Sequence, residues 1–136
     1  MTKDRFRFRA WNKIKKILHY EAEKGLFDLP FHILCKSDEF IIEQCTGLKD
    51  KNGRLIYEGD VITVDSSTIN INNTQAIVFW DEYESSFNLQ WLPQGTGANA
   101  LKRIKKLSKH GVGDTRWWEV KVIGNIHENN ELMEDK

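Results

Sequence analysis

The chain has 136 residues, 40% of them apolar, including seven Phe, five Trp and three Tyr. That is ample for one hydrophobic core, and a single domain over residues 1–136 is the expectation at this length. Twenty Lys and Arg balance twenty Asp and Glu, so a global electrostatic pull toward nucleic acid or anionic membrane is excluded and any such role needs a local patch. Two cysteines, Cys35 and Cys45, make no disulfide framework. Arg5, Arg7 and Arg9 interrupt the start, so no signal peptide is read there, and no window approaches the ~20 apolar residues of a bilayer span. A reduced, soluble, cytoplasmic protein with no membrane partner is expected.

In chain order, Arg5 to Trp11 alternates with period two. It predicts a strand with Phe6, Phe8 and Ala10 on one face and Arg5, Arg7 and Arg9 on the other. Asn12-Lys13 reads as a turn before a return strand over Ile17–Tyr20, with a helix using Ile14, Ile17 and Leu18 as the competing reading. Glu21 to Asp38, which contains Gly25 and Pro30, reads as loop with short structure. Phe40 to Cys45 is strand-like. Asn52-Gly53 predicts a two-residue hairpin turn, because both residues tolerate positive φ. Glu58-Gly59-Asp60 predicts a second tight turn leading into the strand Val61 to Val64, and Asp65 to Thr74 reads as a polar hairpin loop.

Gln75 to Trp80 and Ser86 to Trp91 read as two more strands. Ala98 to His110 predicts a helix whose apolar stripe is Leu101, Ile104 and Leu107 and whose stop is Gly111. Arg116 to Ile123 predicts the last strand, Gly124-Asn125 a turn, and residues 128–136 a frayed acidic tail. The expected fold is mainly β: a small SH3-like barrel or curled antiparallel sheet with an N-terminal β-hairpin extension and one short helix. The hairpin and linker would take residues 1–39 and the barrel core 40–127.

The run Cys45-Thr46-Gly47-Leu48-Lys49-Asp50-Lys51-Asn52-Gly53 followed by Ile56-Tyr57-Glu58-Gly59-Asp60-Val61 resembles the hallmark of the YopX family. Phe8-Arg9-Ala10-Trp11 is similar to that family's opening, and Val122-Ile123-Gly124-Asn125-Ile126-His127-Glu128-Asn129 to its close. The order is preserved over nearly the whole chain. The departures are Cys45 where an aromatic is usual, His127 where Tyr is common and Asn130 where Pro is frequent. The resemblance implies a phage or prophage protein with an SH3-like small-barrel core, and it implies no catalytic residues.

The Gly47-to-Gly53 segment lacks the spacing of a phosphate loop and no helix follows it, so turn chemistry is the reading preferred. His32, Cys35 and Cys45 fall short of the paired ligands of a structural zinc site, so no metal is expected. No nucleophile elbow, metal-binding helix or spaced acid–base pair is present, so neither an enzyme nor a cofactor is expected. Two basic features could grip phosphates: Arg5, Arg7 and Arg9 beside Trp11, and Lys102, Arg103, Lys105, Lys106 and Lys109 on the predicted helix. Solvated faces carry such residues equally well. Adjacent aromatics in strands, Phe79-Trp80 and Trp117-Trp118, point to opposite faces. Either a second layer covers them, or Trp80, Trp117 and Trp118 mark a partner surface. The expectation is a non-enzymatic module that binds a protein partner or itself, with a nucleic-acid-binding accessory protein as the alternative.

Overall fold

A computed structural model describes residues 3–66, 71–92, 107–108, 111–112, 115–116 and 119–129. Sequence-local chemistry sets the first hairpin. Strand β1 (Phe8–Asn12) turns into β2 (Ile17–Tyr20). The Asn12 Oδ1 accepts the backbone amides of Ile14 and Lys15, and Lys16 closes the turn at φ 59°. An asparagine side chain that captures its neighbours' amides favours a turn over a helix, which decides the competing readings for Ile17 and Leu18 in favour of the strand.

Strand β3 (Phe40–Lys49) pairs with β1 through its first half and with β4 (Leu55–Tyr57) through its second, with a register shift between Cys45 and Lys49. The resulting sheet has the order β2-β1-β3-β4. The second large sheet has the order β11-β5-β6-β7, from β5 (Asp60–Ser66), β6 (Ile71–Asp81), β7 (Ser86–Trp91) and β11 (Glu119–Asn125). A small sheet joins β8 (Leu107–Ser108), β9 (Gly111–Val112) and β10 (Thr115–Arg116). Every paired strand is antiparallel, and the protein is mainly β with one curled sheet.

The main core lies on one face of the second sheet. Ile62 and Val64 of β5, Ala76 and Val78 of β6, Leu89 of β7 and Val120 and Val122 of β11 alternate onto that face, and Ile56 of β4 with Leu48 of β3 closes over them. Each fully buried Val, Leu or Ile contributes roughly 1.5–3 kcal/mol. A smaller cluster on the opposite face packs Val61, Ile77 and Leu92 with Ile123 and Ile126. The N-terminal sheet has its own cover: Leu34 of helix α1 (Phe31–Lys36) and Ala22 of a 3₁₀ turn (Ala22–Lys24) pack on Ala10 and Phe40.

Several elements differ from the sequence reading. The short helix is α1, in the stretch read as loop. Leu107–Ser108, expected as the end of a helix, pairs as strand with Gly111–Val112, and the rest of that predicted helix lies outside the described residues. The β5–β6 strands run into the polar stretch expected as loop, pairing as far as Ser66 with Ile71, because ladder bonds satisfy the backbone whatever the side chains. Gly124 and Asn125, expected as a turn, end β11. Of the tail expected over residues 128–136, the Glu128 amide donates to Asn125 Oδ1 and the Asn129 amide to the Asn125 carbonyl, and residues 130–136 lie outside the described residues.

The Asn52-Gly53 turn is present but wider than two residues. Lys49 pairs with Leu55, the Asp50 amide donates to the Arg54 carbonyl, the Gly53 amide donates to the Asp50 carbonyl, and only Gly53 has positive φ (83°). The reason is Asp50. Its Oδ1 accepts the amides of Asn52 and Arg54, while Oδ2 accepts that of Val122 on β11, so the side chain props the loop open and docks it on the last strand.

Candidate functional site

The densest polar chemistry among the described residues gathers where the two large sheets meet. β1 delivers Arg9, β3 delivers Glu43, and the Tyr57-Glu58-Gly59-Asp60 corner between β4 and β5 delivers the rest. Arg9 is completely buried. Its Nε donates to Glu43 Oε1 at 2.8 Å, Nη1 to Asp60 Oδ1 at 2.6 Å, and Nη2 to the Glu58 carbonyl at 3.0 Å. The guanidinium also sits over the Tyr57 ring, 5.1 Å from its centroid. Burial works against the charge of Arg9, but Asp60 and Glu43 outweigh it and raise the pKa, so the group is permanently cationic.

The carboxylates are used on both oxygens. Asp60 Oδ2 accepts the Tyr57 amide, which tightens the corner. Glu43 Oε2 lies 3.0 Å from His127 Nε2, and the His127 ring stacks on Trp11 at 5.0 Å with an interplanar angle of 12°. The corner itself depends on Gly59. At φ 87° its amide donates to the Val78 carbonyl and its own carbonyl accepts the Ile126 amide. A Cβ there would collide with the Glu43 carboxylate.

Beside this cluster opens a pocket of about 430 Å³. Glu43, Glu58 and Gln90 give it polar groups, Ile77, Phe79 and Ile126 give it apolar walls, and the backbone of Gly59 and Val78 lies between them. Glu58 Oε1 accepts the Gln44 amide at 2.7 Å. Burial pushes the Glu58 carboxyl above the usual carboxylate range, more than that amide and Arg9 pull it down.

Of the N-terminal residues read as a phosphate grip, the arrangement takes Arg9 and Trp11 out of reach. Arg9 and Trp11 are buried and engaged with Glu43, Asp60 and His127, so neither can reach a nucleic acid. Period-two reading put Arg9 on a solvent face because it assumed one covered face; β1 is covered on both. Arg5 and Arg7 are exposed, but they precede β1: Asp4–Phe6 forms a 3₁₀ turn, Phe6 is 59% exposed, and Arg7 Nε pairs with Asp4 Oδ1 at 3.2 Å. Lys102, Arg103, Lys105, Lys106, Lys109, Trp117 and Trp118 lie outside the described residues. Trp80 is 43% exposed, edge-on to Phe87 at 4.9 Å. Cys35 is exposed and Cys45 buried, and among the described residues no group of three His, Cys, Asp or Glu is placed to hold a metal ion. None of the helices among the described residues is long and apolar enough to cross a membrane.

The Arg9 cluster escaped the sequence reading, though a signal existed. Glu43 interrupts the apolar run Phe40-Ile41-Ile42, and Asp60 directly precedes Val61-Ile62. Acidic residues inside buried strands call for a cation.

The family model of the YopX protein matches residues 7–134. The chain belongs to the YopX family. Among solved structures, this YopX-family chain is similar to protein EF1440 from Enterococcus faecalis, with 24% identity and a TM-score of 0.57, covering 94% of this chain and 97% of that one. It is also similar to protein yopX from Bacillus subtilis, with 15% identity and a TM-score of 0.51, covering 96% and 97%. At these identities the likeness shows the shared fold. None of the curated proteins compared with the chain matches it significantly.

Proposed function

We propose that this YopX-family protein is a non-enzymatic module of phage or prophage origin that works in the bacterial cytoplasm by binding a protein partner or a second copy of itself. One observation carries the reading: the β6–β7 hairpin presents an aromatic tip. Tyr83 is fully exposed, and Trp80 stands half-exposed against Phe87 on the adjoining strands. Asp81 Oδ1 fixes the tip by accepting the amides of Tyr83 and Glu84. Exposed Trp and Tyr on a held backbone provide binding area at low entropic cost.

Sedimentation of the purified chain across micromolar concentrations, with affinity capture from induced cells before and after nuclease treatment, tests it. Self-association or a nuclease-resistant partner, lost on replacing Trp80 and Tyr83 with Ser, is the expected result. A monomer whose captured partners vanish with nuclease would favour the alternative, a nucleic-acid-binding accessory protein using Arg5 and Arg7 with the basic segment Lys102 to Lys109. That alternative rests on the sequence pattern.

A further inference from the structure

We propose that the pocket beside Glu43, Glu58 and Phe79 binds an organic cation on a short apolar stem, an alkylguanidinium or alkylammonium such as an arginine or lysine side chain presents. This goes beyond the aromatic tip and does not depend on it. Three observations converge. The first is a charge imbalance: Glu43, Glu58 and Asp60 surround one guanidinium, that of Arg9, so the cluster carries more negative than positive charge. Glu43 and Asp60 are paired with Arg9 by direct bonds. Glu58 is not: its carbonyl, not its carboxylate, meets Arg9, and among the described residues its Oε2 receives no hydrogen bond.

The second is the wall chemistry. Ile77 and Ile126 suit a methylene stem, and the Phe79 ring suits the rim of a cation, as the Tyr57 ring already does for Arg9. The third is size. A cavity of about 430 Å³ lies toward the small end of ligand sites and accommodates one side-chain-sized group. An anion would face two glutamates there, and a neutral ligand would leave the charge of Glu58 unmatched. Partial burial, with Glu43 alongside, holds the Glu58 carboxyl above its usual range, and a cation seated in the pocket would draw it down.

The test is an amide-resonance titration of the full chain with butylguanidinium, butylammonium, the neutral isostere butylurea, and capped Gly-Arg-Gly and Gly-Lys-Gly peptides. Saturable shifts at Gly59, Val78 and Gln90 with the cations, and none with butylurea, are expected. Binding by the peptides as well identifies a partner's side chain as the source. Binding by the free cations alone identifies a small molecule, and either result sustains the site. Glu58→Gln keeps an acceptor for the Gln44 amide and should weaken the cations by roughly tenfold or more, the scale of one charged hydrogen bond. The proposal is overturned if wild-type protein shows no saturable shifts with any cation, or if butylurea binds as well as butylguanidinium. It is equally overturned if a folded Glu58→Gln protein binds unchanged.

Discussion

Arg9 on β1 and Asp60 on β5 are hydrogen-bonded Nη1 to Oδ1 at 2.6 Å, with both side chains essentially out of contact with water. The bond joins the two large sheets at a point where neither contributes an apolar pair. A buried pair broken on one side leaves an uncompensated charge, which costs far more than the intact pair contributes. Arg9→Leu strands both Glu43 and Asp60 and should lower unfolding free energy by roughly 3–5 kcal/mol. Urea denaturation measures this, and a loss below about 1 kcal/mol would show that the clamp is dispensable.

Asp50 gives a pH signature. Burial pushes its carboxyl up, but the amides of Val122, Arg54 and Asn52 overcome this, and its pKa lies below the ordinary carboxylate value. A depressed folded pKa contributes stability that is complete above the unfolded value, about 3.9, and is lost as pH falls through the folded one. Asp50→Asn should therefore cost roughly 1–3 kcal/mol at neutral pH, the scale of an unsatisfied buried amide. The gap from wild type should narrow below pH ~4. A gap unchanged down to strong acid would separate the carboxylate from the turn's stability.

Gly53 and Gly59 have nearly the same φ, 83° and 87°, in very different surroundings. Nothing lies within 4 Å of a Cβ at Gly53, whereas one at Gly59 meets the Glu43 carboxylate. Gly53→Ala should cost only the backbone strain, roughly 1–2 kcal/mol. Gly59→Ala should cost clearly more, because Glu43 must leave Arg9 or His127 to make room. Equal losses in thermal unfolding would contradict the packing of the corner.

Tyr57 predicts a late ionisation. Burial, reinforced by the negative charge of neighbouring groups, pushes its phenol up to about 12. The raised value means the neutral phenol is favoured in the folded state. Its contribution to stability is present below the unfolded pKa near 10 and is lost as pH rises toward the folded one. Ultraviolet titration should resolve one of the three tyrosines ionising well after the others, and Tyr57→Phe should remove that phase. Three superimposed titrations in folded protein would refute it.

Local signals read well wherever one residue decides the backbone. Asn12 announces its turn, Gly59 its corner, and the alternation of Ser86 to Trp91 its strand. The misreadings share one cause, a partner distant in sequence. Arg9 looks like a solvent-facing residue until Asp60, 51 positions later, is brought beside it. Asn52-Gly53 looks like the tightest of turns until Val122, 72 positions beyond Asp50, takes the second Asp50 oxygen. The pocket was illegible for the same reason: Glu43, Glu58, Phe79 and Gln90 come from β3, the β4–β5 corner, β6 and β7, and no spacing along the chain relates them. Membership of the family, by contrast, was readable from the Thr46-to-Val61 run, because that run holds both turns.

The Asp50–Val122 tie has a consequence for how the protein is made. The β3–β4 turn also holds the last strand through the Lys51 amide and the Val120 carbonyl, and β11 completes the sheet by pairing with β5. A nascent chain still threaded through the ribosome up to residue 118 has β5 as an open sheet edge and Asp50 without its Val122 partner. The β3–β4 turn, although made early, is therefore held in full only once β11 has emerged, since Val122 follows Asp50 by 72 positions.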